Sequence, residues 1–365
     1  MMTVPLMNIT HTMMRRLRWC AFCLATTASL SAQISDKTIQ AGEKQSAVYD
    51  FYRQAQTELA KPDRERDYKK LVNALREAAD KGLGPAQFQL GVLYSKGAGV
   101  TRSETEAFRW YEAAANQDDA DGLYMAGVCY ANGIGVDKDV QKAFALFEKA
   151  AGKAHAGGRL AVGAAYDQGI GIPKSDKNAA HWYKLAADQG LPVAQYNYAV
   201  LLSEGRGVTR DSAEARRYFK LAADQGNADA QASLSALFST GTKKEKDVVQ
   251  AVSYARMAAA QGNALGQYNL AIAYRDGVGI ERDAKEAAQL FRKAAEQGDA
   301  AAAYELALLY IKGDGVDRNS LEAYRWLKQA DDIKYPPAKH ALEVLQKSMS
   351  PEQLASAQKL AAAVR

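Results

Sequence analysis

Proline, histidine and cysteine are scarce in this 365-residue sequence, which contains 8, 4 and 3 of them, respectively. Proline interrupts helices, whereas alanine, which is abundant here, supports them, so the composition favours helix. The combination of low hydrophobicity and high net charge that marks disordered chains is absent, because 48% of the residues are apolar and 24% are charged. The composition therefore predicts a folded, helix-rich protein.

Sequence signatures of catalysis are also missing. None of the four histidines (His11, His155, His181 and His340) stands at metal-ligand spacing from another histidine or a cysteine. There is no nucleophile elbow, and the repeated Gly-x-Gly stretches lack the Lys-Ser/Thr pair of a phosphate-binding loop. We therefore predict no catalytic residues, no metal, no cofactor and no enzymatic activity.

The N-terminal segment has the features of an export signal. Arg15, Arg16 and Arg18 precede a largely apolar stretch, 19–30, that is too short to span a bilayer. Small residues favour cleavage after Ala32, so we predict that residues 1–32 are a signal peptide and that the mature protein is periplasmic or secreted, without a stable membrane anchor. Translation could start at Met1, Met13 or Met14.

Removal of this segment would change the charge and cysteine content. The formal net charge would fall from +5 to +2, which does not indicate nucleic acid or another polyanion as a partner. Cys20 and Cys23 would be lost, and a single remaining cysteine cannot form an internal disulfide. We predict that this residue, Cys129, is a small core residue.

The remaining sequence repeats with a period of 36 residues. Three columns of seven identical residues recur at this spacing: Gly97, Gly133, Gly169, Gly205, Gly241, Gly277 and Gly313; Ala107, Ala143, Ala179, Ala215, Ala251, Ala287 and Ala323; Ala114, Ala150, Ala186, Ala222, Ala258, Ala294 and Ala330. Apolar residues at i, i+4 and i+8 before each glycine predict a first helix, helix A, which the glycine ends. A second glycine two residues later is expected to allow a sharp turn.

A second helix, helix B, is predicted after this turn. Its start is indicated by a column of favourable N-cap residues: Ser103, Asp139, Ser175, Asp211, Asp247, Asp283 and Asn319. Five of the seven are followed three residues later by Glu or Gln, which predicts capping boxes. A single helix pair cannot bury its own apolar face, so the pairs are expected to stack.

The repeats define the predicted organisation of the chain. Residues 84–330 form seven repeats, 33–83 an N-terminal helical cap and 331–365 a C-terminal helical cap. In the N-terminal cap, Phe51, Ala55 and Leu59 indicate a helix A that departs from the pattern. In the fifth repeat, Lys243 replaces the second glycine within a charged loop. We expect altered packing or a changed angle between repeats here; the alternative is sequence drift in a solvated loop.

The repeat resembles a known family. Residues 267–298 read Q-Y-N-L-A-x-x-Y-x-x-G-x-G-I-x-x-D-x-x-x-A-x-x-x-F-x-x-A-A-x-Q-G, which is similar to the Sel1-like repeat, a relative of the tetratricopeptide repeat. The resemblance implies an all-α, right-handed α/α superhelical solenoid with a concave surface lined largely by helix A. It also implies work as a scaffold or adaptor, and bacterial proteins that it resembles are associated with envelope assembly, exopolysaccharide regulation, signalling and host contact.

Partner-binding residues are expected on helix A, away from its core-facing side. Stepping along this side gives eight candidates: Gln89, Lys96, Asn197, Glu204, Asn269, Asp276, Glu305 and Lys312. The polar residues differ between repeats, as recognition of an irregular partner requires. The amides of Gln89, Asn197 and Asn269 could each offer a donor and an acceptor to an extended peptide.

We predict a non-catalytic scaffold or regulator that binds a protein in the bacterial envelope. One alternative is a solenoid associated with an envelope polysaccharide, which would need exposed aromatic side chains, whereas most rings fall in core columns. Another is a hydrolase like the cysteine-rich Sel1-repeat proteins that carry β-lactamase labels. Those proteins use a cysteine pair in each repeat, which this sequence lacks.

Overall fold

The computed structural model describes residues 47–240 and 247–362, which contain eighteen α-helices and no β-strand. The predicted signal peptide, the charged loop of the fifth repeat and Gly241 lie outside these ranges. The helices are α1 (Ala47–Leu59), α2 (Tyr68–Asp80), α3 (Gly84–Lys96), α4 (Glu104–Asn116), α5 (Ala120–Asn132), α6 (Val140–Gly152), α7 (Ala156–Gln168), α8 (Asp176–Ala187), α9 (Pro192–Glu204), α10 (Ser212–Asp224), α11 (Ala228–Thr240), α12 (Val248–Ala260), α13 (Ala264–Asp276), α14 (Ala284–Glu296), α15 (Ala300–Lys312), α16 (Ser320–Asp332), α17 (Pro336–Ser348) and α18 (Pro351–Ala362).

The helices form two compact units, and up to α17 each odd-numbered helix is a helix A. The N-terminal unit contains α1–α8, and the C-terminal unit contains α10–α18 and residues 195–203 of α9. Within each unit the helices pack against their neighbours in the chain, for α9 and α10 through ring contacts, except that α18 packs against α16. The predicted all-α architecture of repeated helix pairs is confirmed.

The predicted helix ends are confirmed by their hydrogen bonds. All seven predicted N-cap side chains accept a backbone N–H from the first turn of helix B; Ser103, for example, accepts from Glu106 at 3.2 Å. Gly97, Gly133, Gly169, Gly277 and Gly313 cap helix A in the left-handed conformation. Local chemistry thus determines where helices begin and end.

The N-terminus of helix B is not capped by a complete capping box, contrary to the prediction. In all seven repeats the N–H of the N-cap residue donates to a carbonyl of helix A, as Ser103 does to Tyr94 at 3.0 Å. A glutamate three residues later therefore has no N–H to accept, and Glu106 and Glu214 instead pair with Arg109 and Arg217. A complete capping box does form at α18, where Ser350 and Gln353 bond reciprocally.

A ring on helix B fills the space beside a small residue on helix A. A Cβ atom added to Gly127 would lie 2.7 Å from the ring of Phe147, and one added to Gly163 would lie 2.6 Å from that of Tyr183. The ring column, which the sequence analysis missed, is buried throughout: Tyr111, Phe147, Tyr183, Phe219, Phe291 and, without rings, Ala255 and Leu327. Cys129 is buried beside these residues in the N-terminal core, as predicted.

The first helix pair keeps the register of the repeats. Tyr52 and Ala55 are buried at the positions equivalent to Phe88 and Gly91, whereas Phe51 is only half-buried. The departure is at Glu58, which replaces a tyrosine and is buried. Its carboxylate accepts the N–H of Asp67 at 3.3 Å and pairs with Lys61 at 2.8 Å. In later repeats the equivalent N–H donates instead to a backbone carbonyl of helix A.

The fifth repeat is packed differently from the others. Ala232 and Ala255 stand where most other repeats have rings, and Ser235, at the position of Gly127, is buried with 2% exposure. The loss of ring volume leaves room for the larger serine side chain.

Candidate partner-binding face

The structure places the eight predicted binding residues in three environments. Lys96, Glu204, Asp276 and Lys312 are exposed at the C-terminal ends of their helices; Asn197, Asn269 and Glu305 are half-buried; and Gln89 is buried, with 7% exposure. Gln89 thus presents little surface to a partner. We call the accessible side of the odd-numbered helices the helix-A face of each unit.

Four of these residues bond within the protein. Asn269 Nδ2 donates to the carbonyl of Ala232 at 3.1 Å, so half of its amide already links two neighbouring helices A. Glu305 pairs with Arg275 at 2.6 Å. In the N-terminal unit, Glu204 pairs with Arg206 at 2.7 Å. Asn269, Asp276 and Glu305 lie on α13 and α15 of the C-terminal unit, where Arg275 connects the two carboxylates.

A further ring column on helix A was missed by the sequence analysis. Its members stand at multiples of 36 residues and are half-buried except for Tyr124, which is buried: Phe88, Tyr124, Tyr196, Tyr268 and Tyr304. Several rest against the buried ring column of helix B, as Tyr268 does on Phe291 with ring centroids 5.8 Å apart. The 36-residue spacing was the signal that could have revealed them.

The C-terminal unit brings three tyrosines around one carboxylate. Tyr268 and Tyr304 lie on α13 and α15, and Tyr335 precedes α17. The rings of Tyr304 and Tyr335 are 5.6 Å apart and inclined at 54°. Burial and, after it, the charge of Glu305 raise the pKa of all three hydroxyls. The three phenols therefore lie within electrostatic range of Glu305.

The N-terminal unit has a different polar cluster, centred on a buried histidine. His155 Nδ1 accepts the N–H of Gly158 at 2.9 Å, and its Nε2 lies 3.1 Å from Asp121 Oδ1. This geometry assigns the proton of the neutral ring to Nε2. The Tyr124 ring packs against the imidazole with centroids 4.7 Å apart. His155 therefore acts as a helix cap and a link between repeats.

The part of the chain that the structure describes has no group of His, Cys, Asp and Glu able to hold a metal ion. Among the same residues, no helix combines the length and apolar character needed to cross a bilayer.

The sequence profile of the Sel1 repeat family matches seven consecutive segments, at residues 84–119, 120–155, 158–191, 192–227, 228–263, 264–299 and 300–330. The chain belongs to the Sel1 repeat family. Proteins of this family are generally interaction scaffolds and typically not catalysts.

Two solved structures and one curated protein illustrate the relationship. A Sel1 repeat protein from Oxalobacter formigenes is 29% identical, with a TM-score of 0.58, and the match covers 89% of this chain and 92% of that one. A protective antigen of uropathogenic Escherichia coli is 26% identical, with a TM-score of 0.45 and coverage of 88% and 84%. The Saccharomyces cerevisiae chitin synthase regulator SKT5 is 40% identical over 60 residues, only 16% of this chain and 9% of that protein.

Buried glutamines connect the Sel1 repeats. Gln231, with 1% exposure, donates from Nε2 to the carbonyl of Ala223 in the preceding repeat at 3.2 Å, and its Oε1 accepts from Gln261 at 2.9 Å. Equivalent pairs join Gln225 to Gln195 and Gln297 to Gln267, each at 2.8 Å. Both functions of the buried Gln231 amide are bonded, which makes this side chain structural rather than available to a partner.

Asp119 makes the stability of this Sel1 repeat protein depend on pH. Burial raises its pKa to about 6, and the charge of Asp121 also raises it, although the N–H of Gly122 donates to its carboxylate. Since the folded state favours the protonated form, the contribution of Asp119 to stability is complete below its ordinary pKa of 3.8 and is lost as the pH rises through about 6.

We expect Asp119→Asn to raise the free energy of unfolding by about 1–3 kcal/mol near pH 7 and to change it little near pH 4. Asparagine keeps the cap, as Asn263 does at the equivalent position by accepting from Gly266 at 2.9 Å. Urea unfolding across this pH range measures the difference. Asp283→Asn, at an exposed N-cap, is the control; a pH-independent effect of Asp119→Asn would contradict the prediction.

Proposed function

We propose that this Sel1 repeat protein is a non-catalytic scaffold or regulator that is exported to the bacterial cell envelope and binds a protein partner along its helix-A face. The observation that supports this proposal is the helix-A face of the C-terminal unit, which carries half-buried tyrosines, the Arg275-linked carboxylates of Glu305 and Asp276, and exposed Lys312. Half-buried rings with polar tips are the side chains that protein interfaces favour. The name of the yeast relative, a regulator, agrees with this proposal over a short segment.

Site-specific photocrosslinking in the native host tests the proposal. A photoreactive amino acid replaces Lys312 on helix A or, as a matched control, Lys293, which is exposed on helix B of the same unit. We expect one protein, identified by mass spectrometry, to crosslink from position 312 and not from position 293. Equal crosslinking from both positions, or none from either, would contradict binding along the helix-A face.

The same tagged protein tests export. We expect cell fractionation to recover it from the envelope or medium, and its intact mass to show the loss of residues 1–32. A cytoplasmic protein that retains this segment would refute the predicted signal peptide. The crosslinking result stands independently of this outcome.

A second candidate is binding to an envelope polysaccharide. It is favoured by the half-buried tyrosines of helix A, because sugar rings pack on aromatic faces. Crosslinks to glycan rather than protein from position 312 would favour it.

A further inference from the structure

We infer that Tyr268, Tyr304, Tyr335 and Glu305, together the tyrosine–carboxylate site, bind the positively charged side chain of an arginine or lysine on the partner protein. This inference rests on the proposed function, since it defines the chemistry of the partner at the helix-A face. The proposed ligand is a segment of a protein, and the alternative ligand is a neutral glycan.

The tyrosine side chains have unused binding capacity. All three residues are half-buried, so part of each remains accessible. Within residues 47–240 and 247–362, no hydrogen bond engages the hydroxyl of Tyr268, Tyr304 or Tyr335, although hydroxyls in partly buried positions usually find a partner. The tilted rings of Tyr304 and Tyr335 offer the aromatic faces that attract a guanidinium or ammonium group.

The charged groups beside the rings include one arginine, Arg275, as well as carboxylates. Arg275 serves two carboxylates, Glu305 at 2.6 Å and Asp276 at 2.7 Å. Arg282 also faces Asp276, but its guanidinium contacts both oxygens of Asp314, at 2.8 and 2.7 Å. The carboxylates thus outnumber the arginines that they face, which favours a cationic ligand.

A further carboxylate lies near the tyrosines. Asp299 caps α15 by accepting the N–H of Ala302 at 2.7 Å, and its charge contributes to the raised pKa values of Tyr268 and Tyr335. Burial raises the pKa of Asp299 itself. A bound cation would stabilise the charged form of Asp299.

These residues occur together only at the C-terminal end of the repeats. At the position of Glu305 the other repeats carry uncharged residues: Gln89, Met125, Ala161, Asn197, Ser233 and Asn269. At the position of Tyr335 the other repeats have Asp119, His155, Leu191, Asn227, Asn263 and Asp299. The site is therefore local to α13, α15 and the turn before α17, and a partner would be held there in a defined register.

Two peptides that differ only in charge test the inference. The probes are acetyl-Gly-Gly-Arg-Gly-Gly-amide and the same peptide with citrulline, whose side chain has nearly the shape of arginine but no charge. They are titrated into the full chain carrying ¹³C-labelled tyrosine rings, and the NMR signals are assigned with single Tyr→Phe variants. We expect the arginine peptide to shift the signals of Tyr268, Tyr304 and Tyr335 and to bind about tenfold more tightly than the citrulline peptide.

Two variants separate binding from folding. Glu305→Gln keeps the size of the side chain and is expected to remove most of the preference for arginine over citrulline. Asp167→Asn is the matched control, because it disrupts a similar arginine–carboxylate pair, with Arg206 at 2.9 Å, in the N-terminal unit. The control is expected to leave the peptide preference unchanged.

Three results would overturn the inference: equal binding of the two peptides, no shift at peptide concentrations up to about 10 mM, or shifts of the same tyrosines by cellohexaose but not by the arginine peptide. A protein that crosslinks from position 312 equally well with Glu305→Gln would also refute it while leaving the proposed function intact. Conversely, a specific arginine-peptide response without any crosslinked protein would support the cation site and count against the scaffold proposal.

Discussion

Replacing Gly315 with alanine is expected to lower the free energy of unfolding of the C-terminal unit by more than about 4 kcal/mol. Gly315 has a φ of 73°, and a Cβ atom there would lie 2.1 Å from the carbonyl oxygen of Ala284. This carbonyl belongs to the first residue of helix B in the preceding repeat, so relief of the overlap would require the two repeats to separate. Chemical denaturation, with hydrogen exchange in α14 and α15, measures the loss.

Gly298→Ala is the matched control, because it tests the positive φ angle at a position where an added Cβ atom has no neighbour to contact. Gly298 also has a positive φ, of 93°, but nothing lies within 4 Å of a Cβ atom there. Ala154 adopts a φ of 62° at the equivalent position of another repeat, so alanine is tolerated. We expect a cost of about 1–2 kcal/mol; similar costs for the two variants would show that backbone conformation, and not contact between repeats, explains the second glycine.

Truncating Phe291 to alanine is expected to destabilise the C-terminal unit by about 3–5 kcal/mol, because the ring is fully buried and alanine would leave a cavity. The effect should reach the tyrosine–carboxylate site, since Tyr268 rests on this ring. We therefore expect the NMR signal of Tyr268 to broaden or shift more than that of Tyr335. Urea unfolding gives the stability.

A graded series checks the cavity argument. Phe291→Leu, which copies Leu327 at the equivalent position, should cost about 1.5 kcal/mol or less. Gln289→Ala, at an exposed neighbouring position, should change stability by no more than about 0.5 kcal/mol. If leucine and alanine at position 291 were equally destabilising, the loss would not follow cavity volume.

The ends and pairing of the helices could be read from the sequence because they depend on local chemistry that repeats. A serine or aspartate before helix B, such as Ser103 or Asp139, accepts N–H groups within its own first turn, and Gly97 adopts its left-handed conformation at the end of its own helix. Seven copies of each signal placed them in one register.

The tertiary structure decided which repeated residues contact the neighbouring repeat. The second glycine was expected to serve a turn, but its close approach to the preceding helix B is a long-range contact. In the same way, the N–H of Ser103 donates to helix A instead of to a glutamate in its own helix, and the buried glutamines, visible as a column, bond across repeats.

The candidate site shows the same division. Stepping along one helix selected Glu305 and Asp276, because helical geometry determines which residues share a side. It could not reveal that Arg275 joins their carboxylates or that Tyr335, 30 residues after Glu305, packs beside Tyr304. The sequence by itself determined the helices, their caps and the period, since those depend on neighbours in the chain; only packing between repeats decided which side chains meet and which remain available to a partner.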